Sequence, residues 1–250
     1  MTQIGCNDNF TLCSSGGGRN SDVTITGLTI GTTYYIRVDG RNAATGTFDI
    51  MAVDGAASFP PIPDQDCDLA STVCSNTSSI ADPGYTGSGN ICDLQGGTCL
   101  FSAEAAGVWY SFSTTSTAPG QTLQFTITAN NGFSDYDFQL WEVTGVSNPC
   151  NLIQTNPTSA SFPFRSCNYS AVSTSGLNIA AGTTSTSQTA SVSGGWNSAY
   201  NLTNGTTQQF ILLVSHFSNF AGGATSGFSL NFPLSTPINI GAPTVQYWKS

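Results

Sequence analysis

Cationic side chains are almost missing. Five Lys and Arg stand against fourteen Asp and Glu in 250 residues, a net charge of −9. Five cations cannot neutralise a run of phosphates, which excludes nucleic acid as a partner. The acidic excess equally excludes docking on an anionic membrane surface. Charge of either sign is scarce, 8% of residues against roughly 25% in ordinary soluble domains. With 39% hydrophobic and 11% aromatic residues, the chain still has enough apolar surface to fold, so disorder is excluded. Long apolar runs are absent too. The longest, 210–214, is far too short to span a bilayer. No stretch shows sustained helical periodicity, although 67–74 has room for one turn. Residues Met1–Cys6 have neither a basic nor an apolar signal region, so the expectation is a processed piece of a longer exported chain.

Ser and Thr fill the space left by charge, 65 of 250 residues. The other abundant signal is cysteine. Cys6 and Cys13, Cys67 and Cys74, and Cys92 and Cys99 each follow C-x6-C spacing, and Cys150 and Cys167 complete eight. Zinc sites favour C-x2–4-C knuckles with His partners. Here there is no CxxC and one His. Disulfides are the better reading, with sequence neighbours paired: Cys6–Cys13, Cys67–Cys74, Cys92–Cys99 and Cys150–Cys167. Such bridges require an oxidising compartment, hence an extracellular or cell-surface location.

Short alternating runs bounded by Gly, Asn, Pro or Ser read as strands at 22–26, 33–39, 47–53, 107–112, 122–128, 137–143, 210–215 and 227–232. That pattern predicts an all-β, antiparallel sandwich. Four segments follow: 1–57, a Pro-rich linker 58–66, 67–236, and a tail 237–250. An internal repeat orders them. Leu28–Thr33 matches Leu202–Thr207 at five of six positions. Each block leads into an aromatic or apolar strand and then a Gly-started final strand, and each follows a Cys pair. Residues 1–57 therefore correspond to the C-terminal half of the domain at 67–236. Three strands alone leave an apolar face wet, so another chain or segment is expected to complete this half.

The segment from Asn20 to Gly40 resembles the closing half of pre-peptidase C-terminal-like β-sandwiches of secreted Bacteroidetes proteins. Cys67-Asp68-Leu69-Ala70 with Cys74, 108–112, 135–141, 213–218 and 226–230 resemble a related group in the same proteins. The Tyr-Asp-Phe and Gly-Phe strands are also similar to CUB domains. The resemblance implies a jelly-roll-like (CUB-like) sandwich. It also implies export by type IX secretion, in an adhesin, a gliding-associated filament or an accessory module of a hydrolase.

Candidate chemistry is sparse. Asp135 and Asp137 point to one side of a strand, and paired carboxylates suit calcium. Glu104, from the loop before Trp109, is a third candidate ligand. CUB-type calcium sites resemble this set, except that Ser215 or His216 stands where a further Asp is expected. His216 would have to serve any Ser-His-Asp triad, yet Ser215 and Ser218 beside it are poorly placed as nucleophiles, and no G-x-S-x-G elbow occurs. Glu104 and Glu142 are the two glutamates a glycosidase would need. Trp141 and Trp196 are candidate sugar-stacking side chains. No constellation argues for catalysis, so the expected protein is not an enzyme. The expected role is a structural or adhesive segment of a surface protein, assembled with copies of itself or adjacent domains. The alternative is a calcium-dependent carbohydrate- or protein-binding module attached to a hydrolase, with surface glycans as partners.

Overall fold

The computed structural model of the chain describes residues 2–6, 23, 25–39, 45, 50, 63–74, 80–82, 89, 93–94, 99–100, 104, 106–157, 164–181, 189–191, 194–217 and 226–237. Its strands are β1 (Ser71–Thr72), β2 (Ile80–Asp82), β3 (Val108–Thr115), β4 (Thr122–Leu123), β5 (Phe125–Ala129) and β6 (Tyr136–Glu142). After helix α1 (Pro149–Thr155) come β7 (Phe164–Asn168), β8 (Thr174–Asn178), β9 (Thr189–Ser191), β10 (Trp196–Ser198), β11 (Tyr200–Asn201), β12 (Thr207–His216) and β13 (Phe228–Asn231). One sheet has the order β1-β3-β12-β6-β7-β9 and the other β10-β8-β5-β13-β2, with β4 and β11 paired separately. The result is an all-β sandwich, as composition and alternation predict. It is antiparallel at its centre, with parallel outermost pairs β1/β3, β7/β9 and β8/β10.

Alternation decides which residues meet. Tyr110 and Phe112 of β3, Phe138 and Leu140 of β6, and Phe210, Leu212 and Val214 of β12 face the second sheet. There they pack on Phe125, Ile127, Phe228 and Leu230. The intervening residues Trp109, Trp141, Ile211 and Leu213 form a second apolar layer on the outer face, with Leu94, Leu100, Ile153 and the disulfide sulfurs. The six-stranded sheet is thus buried on both faces, and the continuous apolar run at 210–214 is the mark of such a strand.

The disulfides differ from the expected neighbour pairing. Cys67 bonds Cys150 and Cys99 bonds Cys167, with Cα–Cα distances of 5.6 and 6.3 Å. Cys6 and Cys74 are exposed free thiols. This overturns all four expected pairs, Cys6–Cys13, Cys67–Cys74, Cys92–Cys99 and Cys150–Cys167; Cys13 and Cys92 themselves lie outside the described residues. The physical reason is the outer layer. Cys67 sits in a 3-10 turn at Cys67–Leu69 and Cys150 in the first turn of α1, and both are buried on that face. Spatial convergence, not sequence spacing, selects the partner.

Two other differences have local causes. The expected strand 122–128 breaks at Gln124, whose N–H donates to Thr236 Oγ1 at 3.0 Å and whose carbonyl accepts from that hydroxyl at 3.1 Å. The chain changes sheets there, from β4 to β5. Residues 33–39 run without joining a strand, because alternation sets a face but supplies no partner. The other two expected N-terminal strands, 22–26 and 47–53, lie mostly outside the described residues.

Candidate functional site

Asp137 and Gln139 share the outward side of β6 with Trp141, two residues apart at each step. Ser215 of β12 pairs directly with Asp137, and His216 with Tyr136. Asp135 precedes the strand and accepts a hydrogen bond from the Val172 N–H. Burial pushes the Asp135 carboxyl up to about 6. Asp137, 5% exposed, is pushed up to about 8, by burial first and then by the charge of Asp135. The Oδ1 atoms of both are buried without a hydrogen-bond partner. The i, i+2 reading therefore brings the pair together.

Glu104 stands elsewhere. Its carboxyl is held well above the usual range, first by burial and then by the charge of Asp93, with Asp66 a further contributor. Trp109 Nε1 donates to its Oε1 at 2.7 Å and works the other way. Sequence reasoning missed Asp66 and Asp93, because they sit in separate loops that only the outer layer joins. Among the described residues, no three Cys, His, Asp or Glu side chains are disposed to hold a metal ion.

The remaining candidates take structural places. Trp141 is fully buried, stacked on Trp109 with ring centroids 5.9 Å apart, so it cannot stack on a sugar. The outer layer covers the face on which a ligand would have to lie. Trp196, on edge strand β10, is 37% exposed. His216 is buried against Tyr136, ring centroids 4.8 Å apart, and burial lowers its pKa. It is therefore neutral at pH 7 and enclosed at the end of a central strand.

Glu142 is held at both carboxylate oxygens. Oε1 accepts from Gln208 Nε2 at 2.9 Å and Thr144 Oγ1 at 3.2 Å. Oε2 accepts from Tyr200 OH at 2.7 Å and Arg165 Nε at 3.2 Å. These bonds tie β6 to β7, β11 and β12, a fastening rather than an acid or base. Replacing it by alanine leaves a guanidinium, a phenol and an amide unpaired. Glu142→Ala is expected to cost about 2–3 kcal/mol in denaturant unfolding, and Glu142→Gln less.

Scans against protein-family models and curated proteins find no match. One solved structure is similar: CorA, a surface-associated copper-binding protein important in Methylomicrobium album BG8 copper acquisition. The likeness covers 66% of this chain and 96% of that chain, at 10% identity and a TM-score of 0.33. At that level it carries no weight for fold or chemistry here.

Proposed function

We propose that this chain is a non-enzymatic, extracellular structural segment of a surface protein, in which strands of another copy complete the N-terminal piece. The two disulfides support an oxidising compartment. The observation that carries the assembly is a repeated turn. Thr32 N–H donates to Thr29 carbonyl at 3.1 Å, and Thr206 N–H to Thr203 carbonyl at 3.2 Å. Gly31 and Gly205 take φ of 81° and 74° at the same position, a conformation that favours glycine.

After the second turn comes β12, flanked by β3 and β6. After the first come Tyr34, Ile36 and Val38, at the positions of Gln208, Phe210 and Leu212. Phe210 is 1% and Leu212 0% exposed, whereas Ile36 is 69% and Val38 50% exposed. The same alternating segment, which joins no strand, thus leaves exposed the apolar side chains that two neighbouring strands would cover by β-augmentation. Light scattering and negative-stain microscopy test this. Fibres or defined oligomers, lost in Ile36→Asp/Val38→Asp, are expected. A compact 26.0 kDa monomer overturns the assembly.

A second reading, a calcium-dependent binding module attached to a hydrolase, draws on the unpartnered Oδ1 atoms of Asp135 and Asp137. Two close carboxylates without a cation repel, and calcium relieves that repulsion. Calcium-dependent retention on a glycan array, absent in Asp137→Asn, distinguishes it from the first reading.

A further inference from the structure

The exposed run 33–39 has a definable occupant, and its identity rests on the strand assembly proposed above. Ile36 and Val38 are not alone in standing open. Beside the turn at Thr29–Thr32, the side chains of Ile4, Ile25, Leu28 and Tyr34 line an open cavity of about 400 Å³. The apolar surface is therefore continuous from the turn into the run that follows it.

The repeat shows what kind of strand belongs beside that run. In the sandwich the equivalent strand, β12, pairs antiparallel with β3, with Leu212 opposite Tyr110 and Val214 opposite Val108. Val108 and Tyr110 both point into the core. The same spacing occurs in the tail, at Val245-Gln246-Tyr247. It sits in the run 244–250, which is as long as 33–39 and contains neither proline nor glycine.

Polarity directs the tail to another copy. The chain enters the sandwich where the Trp109 N–H donates to the Asp64 carbonyl at 2.7 Å. It leaves where the Thr115 N–H donates to the Pro237 carbonyl at 3.2 Å. These points are six residues apart on β3, roughly 20 Å of extended strand. N-terminal piece and tail thus depart from opposite ends, which suits a head-to-tail contact that propagates. The residues after Pro237 reach up to roughly 43 Å when extended, more than the run 244–250 needs to lie along 33–39. Charge favours the same occupant. At −9 the copies repel one another. Residues 1–57 hold five Asp and three Arg, whereas the tail holds Lys249, the only Lys, and no acid. Every other segment is net acidic.

We propose that residues 244–250 of one copy add as a strand beside 33–39 of the next, with Tyr247 opposite Val38 as Tyr110 is opposite Leu212. The tail supplies one of the two neighbours that β12 has in β3 and β6.

Two measurements test this. The full chain carrying Val245→Asp/Tyr247→Asp is expected to sediment as a monomer where the wild type assembles, with its circular dichroism unchanged. A fluorescein-labelled peptide of residues 238–250 is expected to bind that variant saturably, by anisotropy. Binding is expected to weaken at least tenfold when Ile36→Asp/Val38→Asp is added. A wild type that is itself monomeric overturns the strand assembly, and this inference with it. Assembly that survives Val245→Asp/Tyr247→Asp overturns this inference alone and places a different strand of the neighbouring copy on 33–39. A peptide that fails to bind, or that binds the Ile36→Asp/Val38→Asp chain equally well, also overturns it.

Discussion

Replacing Cys67 and Cys150 together by alanine is expected to lower the unfolding free energy by about 4 kcal/mol. The bridge spans 83 residues, and in the chain-entropy account the loss from the unfolded state grows with the logarithm of that span. A bridge between Cys67 and Cys74 would close a short loop and contribute only about 2.5 kcal/mol. The measurement therefore also reports on connectivity. The second bridge, Cys99–Cys167, spans 68 residues and overlaps the first, so the two losses are not additive. Both Cys67 and Cys150 are buried in the outer apolar layer, and the missing sulfurs add a packing loss of the same sign. Guanidinium unfolding of the double variant, beside peptide mapping under non-reducing conditions, tests this. A loss below about 1 kcal/mol would mean that the outer layer is held without the bridge.

The second large effect is a pH dependence carried by Asp137. Its folded value is about 8 against an ordinary 3.8, so the folded state holds the proton more tightly than the unfolded one. The sign follows from linkage. The stability from this proton is fully present below about pH 3.8 and is lost as pH rises towards 8. Asp135 acts in the same direction between 3.8 and about 6. His216, lowered by burial, acts oppositely as pH falls through its ordinary value. The clean observable is therefore the difference between wild type and Asp137→Asn, in which the His216 contribution cancels. In chelator, Asp137→Asn is expected to gain on the wild type from pH 4 to pH 8, by on the order of 4 kcal/mol in guanidinium unfolding. A difference that stays flat, or that falls with pH, would falsify the buried, metal-free environment of Asp137.

Much of the sandwich is legible in the sequence because its central strands obey one rule. β3, β6 and β12 alternate large apolar residues between two buried faces, and their runs at 107–112, 137–143 and 210–215 stand out. The edges are not legible in this way. β1 and β11 are two residues long, shorter than any alternation can reveal. The seven-residue helix α1 is set by Pro149 and by the Asn148 side chain accepting from the Asn151 N–H, not by a period. The break at Gln124 depends on Thr236, 112 residues away.

The site divides along the same line. Asp135 and Asp137 are two residues apart at the start of β6, so their closeness needs no tertiary knowledge. Glu104 meets Asp93 and Asp66 only after three loops fold onto one face. Trp141 misleads for the related reason that its surroundings are supplied from a distance. A tryptophan beside a glutamate suggests a sugar platform until Trp109 and the disulfide layer are seen to cover it. Cysteine spacing misleads most, since it measures distance along the chain and bond formation depends on distance in space.

The crossed bridges also bear on load. When the two ends of the chain are pulled apart, tension runs along the shortest covalent path. The bond between Cys67 and Cys150 takes 83 residues out of that path, roughly 280 Å of fully extended backbone. Strands β1 to β6 then carry no tension after the sandwich opens, and the slack they contain is never released while the bond is intact. What lengthens under load is the chain after Cys150, from β7 to β13, while the 83 residues before it stay locked.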